Sequence, residues 1–376
     1  MRVQVVDPSS YTPPYDHALC SALAVAGAEV ELVCSSFAYG AAPPSQGYGR
    51  SELFYRHAFG AAGGRVRATV KLAEHVPDML RYRRHARAAE VVHFQWLPLQ
   101  PLDRYLLPRG RPLVLTSHDI LPREPRPGQL AAQRRLYERF DAIVVHSHDG
   151  RDRLIEELGV ESDRVHVIAH GAFAYLAERA AAEPPPPPPH QTDKRVVLLF
   201  GLLRPYKGID VLLQAWRGVE GQLPIEDAEL WIVGLPKMGL DGLRGELPTG
   251  VRLDARFIDE RELPAYFERA DLVVLPYLQA DQSGVLFTAL AFGKPLLLSD
   301  VGGFPELARD TGAARVAPAG DVRALGSALR ELLGDRAALT EMCVKARAAS
   351  QGHYSWQSAA EAHLRLYAQL LGQDVG

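Results

Sequence analysis

Cysteine is scarce in this chain of 376 residues, with only Cys20, Cys34 and Cys343. Three thiols so scattered cannot form a disulfide framework, and they lack metal-ligand spacing. A reducing cytoplasm is the expected compartment. An excess of either charge is also missing: 42 Lys and Arg stand against 45 Asp and Glu, a net of −3. So balanced a chain has no global field to draw it to nucleic acid, and no nucleic-acid partner is expected. Long apolar runs are absent as well. No stretch approaches the ~18 uninterrupted apolar residues that suggest a membrane span, and the opening MRVQVVDP has no apolar leader core. Neither a standard secretion signal nor a membrane span is expected.

What the chain does have is apolar material for two cores, with 47% hydrophobic and 23% charged residues. Its length suits roughly two domains of ~100–200 residues. The sharpest punctuation is Pro184 to Pro189, six prolines after an alanine-rich run. Such a run adopts stiff polyproline II and cannot join a helix or a central strand. It predicts a first domain over 1–183, a linker over 184–190 and a second domain over 191–352. A terminal helix follows over 353–376, with Ala360, Leu364, Tyr367, Leu370 and Leu371 at helical spacing. It is expected to pack on a domain surface, the first domain being the candidate.

Both halves alternate short apolar runs with amphipathic segments. The runs are Val3–Val6, Val30–Cys34, Val91–Phe94, Leu113–Thr116, Ala142–Val145 and Val165–Ile168, then Val196–Phe200, Leu230–Val233, Leu272–Leu275 and Pro295–Ser299. Continuous Val/Ile/Leu runs between helices predict buried parallel strands in two doubly wound α/β domains. Two such domains would face one another across a cleft at the carboxyl ends of their strands, where open α/β sheets bind ligands.

The segment from Phe200 to Gly208, FGLLRPYKG, follows an apolar strand and precedes a helix over Ile209–Trp216. Gly201 lets the backbone turn, while Arg204 and Lys207 bring two cations to the strand end. A guanidinium fork and a compact ammonium suit phosphate oxygens, and fixed cations can neutralise a departing diphosphate. Two solvated loop cations are the plain alternative, which the strand–loop–helix context disfavours. Further on, Gln282-Ser283-Gly284 opens an apolar helical run, Val285–Phe292. The free amides and dipole of its N-terminus make an anion site, and capping by Ser283 would explain the same residues.

The order FGLLRPYKG, LWIVG, ADLVVLPY, QSGVLFTALAFGKPLLLSDVGGFPEL resembles family 4 of the retaining glycosyltransferases over most of the second half. The resemblance implies the GT-B fold: two Rossmann-like domains, the nucleotide-sugar donor held mainly by the second, the acceptor mainly by the first, and no metal or other cofactor. It implies that Arg204 and Lys207 grip the donor diphosphate, with Gly201 at the turn before them. By the same token the amides of Gly284 and Val285 reach the donor phosphate and sugar. The main chain at Phe257 and Ile258 contacts the base, and Asp281, Gln282 and Ser283 lie at the sugar. Uridine is the default base, as the commonest in the family. The sequence departs from the pattern where the family carries two glutamates eight positions apart, for those positions hold Ala280 and Thr288. Thr288 keeps a hydrogen-bonding hydroxyl without charge, and Asp281 stands one position from the lost carboxylate. Altered recognition rather than lost activity is the expectation.

The first half is similar in thinner stretches: VVHFQWLP, LVLTSHDILP and IVVHSHDGRDRLIEELGVESDRVHVIAHG. His118 matches a histidine that faces the donor sugar, whereas His93 and His146 read as structural. A glycine-rich loop after the first strand is missing. Ser9, Ser10, Tyr11, Tyr15, Asp16 and His17 occupy its place and become acceptor-contact candidates, with Thr12 or Asp16 beginning the helix. Between Arg50 and Glu90, nine basic residues outnumber four acids, a local net of +5 centred on Arg81–Arg87. Such a run is most simply a solvated face. Few bulky apolar partners are expected beside it, so membrane contact is not the expected reading.

The resemblance therefore implies a metal-independent enzyme that moves a sugar from a nucleotide diphosphate to a small-molecule, glycan or lipid acceptor with retention of configuration. Two other readings compete with it. A nucleotide-sugar epimerase would need carboxylate and histidine proton chemistry, against which the KG and QSGV motifs argue. A degenerate nucleotide-sugar-binding protein without transfer activity draws support from Ala280 and Thr288.

Overall fold

The computed structural model describes residues 1–37, 42–58, 64–122, 127–219, 225–239 and 247–373. The chain divides into two compact units, Met1–Gly171 with Trp356–Gly376, and Ala172–Ser355. The division thus falls at Gly171 and Ser355 and not at the proline run, which lies inside the second unit. That run joins neither helix nor strand, as missing amide donors require.

The first unit runs β1 (Arg2–Asp7), α1 (Pro13–Val25), β2 (Glu29–Ser35), β3 (Gly49–Phe54), α2 (Gly64–His85), β4 (Val91–Phe94), α3 (Gln100–Leu106), β5 (Leu113–Thr116), α4 (Gln129–Tyr137), β6 (Ala142–Val145), α5 (His148–Leu158) and β7 (Val165–Val167). Its seven strands lie in the order β3-β2-β1-β4-β5-β6-β7, and every neighbouring pair is parallel. Strands β4, β5 and β6 are buried at every residue, because helices cover both faces of a parallel sheet.

The second unit runs α6 (Ala174–Ala182), β8 (Arg195–Phe200), α7 (Ile209–Val219), β9 (Ala228–Val233), β10 (Val251–Asp254), α8 (Leu263–Arg269), β11 (Leu272–Leu275), α9 (Gly284–Ala291), β12 (Leu296–Ser299), α10 (Phe304–Thr311), β13 (Ala314–Ala317), α11 (Val322–Gly334) and α12 (Arg336–Gln351). Six parallel strands take the order β10-β9-β8-β11-β12-β13. Both sheets therefore reverse winding direction once, at β1/β4 and at β8/β11. A crevice at the carboxyl ends of the strands is the default ligand site at such a switch point.

The last helix, α13 (Trp356–Leu370), belongs to the first unit. It buries Ala359, Ala360, His363, Leu366 and Tyr367. The Tyr367 hydroxyl lies 2.6 Å from Nδ1 of His93, whose Nε2 is 2.7 Å from Thr116 Oγ1. Both ring nitrogens are thus engaged, in keeping with the structural reading of His93.

A buried network ties β3, α2 and α3 together. The Tyr55 hydroxyl lies 2.6 Å from His75 Nδ1, and His75 Nε2 lies 2.6 Å from Asp103 Oδ1. All three residues are at most 1% exposed. Tyr55 itself has a left-handed backbone, φ 55°, which a bulky residue adopts only when its surroundings enforce it. Its amide donates to Asp78 at 2.7 Å.

The basic segment differs from its expectation. On α2, Leu72, Val76 and Leu80 are exposed at four-residue spacing, so one helix face carries them in line with exposed Arg84. Bulky apolar partners are present there after all. Among the described residues, no helix is long and apolar enough to cross a membrane.

Candidate functional site

The second unit gathers its candidates at the carboxyl end of β8. Gly201 turns with φ 106°, and a methyl group there would meet Lys207 Nζ at 2.9 Å and Val285 Cγ2 at 3.2 Å. The bare backbone of Gly201, the ammonium of Lys207 and the first turn of α9 therefore converge on one spot. Lys207 is buried, its Nζ 3.3 Å from the Phe200 carbonyl and 5.0 Å from the centre of the Tyr277 ring. Gly208 fixes this arrangement. It has φ 66°, and a methyl group there would lie 1.9 Å from the Pro276 carbonyl. Only glycine lets the loop after β8 close against the end of β11.

Arg204 starts the short turn Pro205–Lys207 from extended backbone. Its Nε is buried and has no hydrogen-bond partner. A buried guanidinium donor left unbonded is costly unless a ligand completes it.

At the start of α9, Ser283 occupies the cap position, yet its side chain makes no capping bond. Its hydroxyl lies 3.2 Å from that of Tyr277. Capping by Ser283 therefore does not account for this helix start. Gly284 is exposed and Val285 half-buried, while Asp281 and Ser283 are buried and Gln282 is half-buried. A methyl group at Gly284 would meet only Phe173, at 3.6 Å, so no crowding within the unit demands glycine there. The Thr288 hydroxyl donates to the Gly284 carbonyl at 2.9 Å and is buried. It serves its own helix and does not project outward. On the rim after β10, Phe257 is 44% exposed and Ile258 is buried. Two cations, open glycine backbone and the start of α9 can together hold a polyanion.

In the first unit, Asp7 replaces the absent glycine-rich loop. Its carboxylate accepts the amides of Ser9 at 3.1 Å, Tyr11 at 2.5 Å and Thr12 at 3.3 Å. Ser10 takes a left-handed φ of 47° and donates its hydroxyl to the Ser35 carbonyl at 2.6 Å. Helix α1 starts after Thr12 with Pro13 in its first turn. The Thr12 hydroxyl does not cap it but accepts from Trp96 Nε1 at 3.0 Å.

Of the acceptor candidates on this segment, Tyr11 is 60% exposed, whereas Tyr15, Asp16 and His17 are buried. Those three face inward, which is the first turn of α1 meeting the sheet. The Tyr15 ring packs against His118 at 4.6 Å, Trp356 at 4.9 Å and His170 at 5.0 Å. His17 Nδ1 lies 3.1 Å from the Tyr48 hydroxyl. Asp16 pairs with Asp7, and burial together with that neighbouring charge pushes its carboxyl well above the usual range.

His118 is partly accessible at the end of β5, with Nε2 3.1 Å from Gln95 Oε1. Its ring stacks on Trp96 at 5.0 Å and 17°. His146 and His170 continue the row at the ends of β6 and β7, spaced by 5.4 and 5.3 Å. Burial, then the neighbouring imidazoles, pushes the His118 pKa well below its ordinary value. The ring is neutral at pH 7 and can offer one donor and one acceptor. Sequence reasoning passed over Trp96 and His170, although Trp96 ends the VVHFQW stretch.

Comparisons with known proteins agree with this architecture. Residues 14–171 match the glycosyl transferase 4-like domain, and residues 194–335 match glycosyl transferases group 1. A GDP-mannose:glycolipid 4-beta-D-mannosyltransferase of Xanthomonas campestris pv. campestris is 28% identical over 277 residues, 70% of this chain and 70% of that one. A D-inositol 3-phosphate glycosyltransferase of Nocardia farcinica is 28% identical over 288 residues, 70% of this chain and 63% of the other. Among solved structures, sucrose-phosphate synthase from Thermosynechococcus elongatus superposes with a TM-score of 0.75 at 20% identity, covering 99% of both chains. Anabaena HepE in complex with UDP-glucose gives 0.71 at 15% identity over 98% of this chain and 100% of that one. Two parallel α/β units of this topology, matched along most of the sequence by these two domain models, place the chain in glycosyltransferase family 4, with the GT-B fold.

Proposed function

We propose that this glycosyltransferase moves a sugar from a nucleoside-diphosphate sugar to an acceptor hydroxyl with retention of configuration and without a metal ion. The observation that carries the proposal is the convergence of Lys207 Nζ, Gly201 and the start of α9, on the same loop that carries the buried Arg204 Nε without a hydrogen-bond partner among the described residues. In this reading Arg204, Lys207 and the amides of Gly284 and Val285 hold the diphosphate and stabilise its charge as the glycosidic bond breaks. Phe257 and Ile258 flank the base, and Asp281, Gln282 and Ser283 line the sugar. His118, neutral, hydrogen-bonds the sugar hydroxyls. A retaining glycosidase needs two carboxyl groups ~5 Å apart. Here the departing phosphate accepts the acceptor proton on the same face, and the protein supplies position and field. Uridine diphosphate sugars are the expected donors, although the mannosyltransferase relative is named for GDP-mannose.

A thermal-shift screen with UDP-, GDP-, ADP- and TDP-sugars tests the donor. One nucleotide series is expected to stabilise the protein, by ~2.7 kcal/mol at a hundredfold excess over Kd. An undisplaced Tm with all four contradicts the proposal. NMR of the product tests the stereochemistry: an α-linked donor must yield an α-glycoside, and a β-glycoside would contradict retention.

A further inference from the structure

We infer that Arg256 is a positioning residue for donor recognition, clamping the loop after β10 so that Phe257 and the Phe257–Ile258 peptide read the nucleobase. The inference rests on the function proposed above and adds to it the device that sets base preference. The carboxyl ends of β8, β9 and β10 are joined through their backbones. The Gly201 amide donates to the Val233 carbonyl at 2.9 Å, and the Gly234 amide donates to the Asp254 carbonyl at 2.9 Å. A methyl group at Gly234, φ 143°, would lie 1.9 Å from the Gly201 carbonyl. Neighbouring strands lie about 4.8 Å apart, so the end of β10 stands about 10 Å from that of β8, whose loop carries Lys207. A ribose and base reach that far from a bound diphosphate.

One side chain holds this loop with every arm of its fork engaged. Arg256 Nε lies 3.1 Å from Asp254 Oδ1 at the strand end. Its Nη1 and Nη2 donate to the two carboxylate oxygens of Glu262 at 3.0 and 2.5 Å, and Nη2 also donates to the Tyr266 hydroxyl at 3.1 Å. Glu262 immediately precedes α8, and Tyr266 lies on it. Nη1 further donates to the Phe257 carbonyl at 3.3 Å. The Tyr266 hydroxyl closes the ring by donating to the other oxygen of Asp254. A second clamp holds the far half of the loop from α6. There the Tyr175 hydroxyl donates to Glu260 Oε1 at 2.8 Å, and Arg179 donates to the Glu260 carbonyl at 2.9 Å.

Partly exposed ion pairs add little stability, so a network this complete on a rim serves geometry. A planar guanidinium can bridge strand end, loop and helix start at once, which the point charge of an ammonium cannot. The Phe257–Ile258 peptide is planar and trans, so fixing its carbonyl also fixes the Ile258 amide on the opposite edge. Phe257 is 44% exposed and Ile258 is buried. The Ile258 side chain thus anchors the peptide, while the Phe257 ring offers a flat face. One base is told from another by a fixed polar edge beside a stacking surface, and ordering both beforehand lowers the entropy lost on binding. Arg256 acts through these two residues and not on the ligand itself.

The test is calorimetric titration of the full chain with UDP, GDP, ADP and CDP, which share ribose and diphosphate and differ in the base alone. Wild type is expected to bind the preferred nucleotide at least about ten times more tightly than the poorest. Arg256→Ala is expected to weaken the preferred nucleotide about tenfold, and the poorest by less than about threefold, because the poorest draws little from the loop. The preference therefore collapses. Arg256→Lys keeps the charge without the fork and is expected to lose most of the preference too. A melting curve shows that each variant is folded during titration; should Arg256→Ala fail to fold, Arg256→Lys reads the same ratio. A residue that only supports the fold would lower all four affinities alike, and that result would overturn the inference. So would a preference kept in both variants, or a wild type that binds all four nucleotides equally. Binding of none of the four to the wild type contradicts the donor proposal itself, a failure distinct from the other three.

Discussion

Replacing Lys207 by Ala is expected to lower the turnover of sugar transfer by about 10²–10³-fold, the usual cost of removing one preorganised charge partner of a transition state. The ammonium lies in a slot formed by Gly201, Val285 and the face of Tyr277. In the proposed reaction it meets negative charge that grows on the leaving diphosphate, so its loss is expected to fall on kcat more than on KM. Arg204→Ala is expected to act similarly, because its buried Nε has no protein partner to lose. For that reason the fold should tolerate Arg204→Ala with Tm within a few degrees of wild type, whereas Lys207→Ala also removes the Nζ bond to the Phe200 carbonyl and the contact with Tyr277 and is checked for folding first. Steady-state kinetics and a melting curve on each variant check this. Near-normal turnover in either variant would remove the diphosphate assignment.

Acidification is expected to unfold the first unit well before ordinary carboxylate titration. Burial pushes His146 and His363 down to about 4, and it pushes His93, His118 and His170 well below the ordinary value too. These bases are neutral when folded, but each takes up a proton on unfolding once the pH drops below ~6.5. The unfolded state then binds more protons, so stability is complete above that pH and is lost as pH falls toward 4. Asp7 and Asp16 oppose the trend, since burial raises both. Five histidines outweigh two coupled carboxyls. Each buried imidazole costs ~1.4 kcal/mol per pH unit, so Tm should fall by at least about 10 °C between pH 7 and pH 5. A His146→Gln variant should show a shallower fall. A Tm that is flat or rising over that range would contradict the account.

The central strands were legible because they are buried on both faces and read as unbroken apolar runs. The strands that escaped, β3, β10 and β13, all lie at sheet edges. GRSELF keeps its apolar residues to the last two positions and VRLD alternates polar with apolar ones, so no continuous apolar run marks them. The domain boundary misled for a different reason. Six prolines form a stiff segment wherever they occur, and stiffness does not require a division of the fold at that point. The actual division at Gly171 carries a packing signature instead, for a methyl group there would lie 2.5 Å from the Trp356 ring. That pairing spans about half of the chain and is invisible to local reading.

The candidate site was legible where chemistry is compressed into a short motif. Arg204, Lys207, Gly284 and Val285 lie in two segments whose loop-and-helix form the sequence announces. The burial of Tyr15, Asp16 and His17 was not legible, because polar residues after a proline-rich loop carry no sign of facing inward, whereas α1 begins at Pro13 and turns them to the sheet. Lys71 belongs to the basic run that the sequence shows, but its placement over the rings of Tyr11 and Tyr55, distant in sequence, is given only by the fold.

The most direct test is a crystal structure of the protein with the nucleoside diphosphate that stabilises it most. The pyrophosphate should lie within hydrogen-bonding distance of the Arg204 guanidinium, the Lys207 ammonium and the Gly284 and Val285 amides. A nucleotide bound elsewhere, or bound with both side chains turned away from its phosphates, would contradict the account.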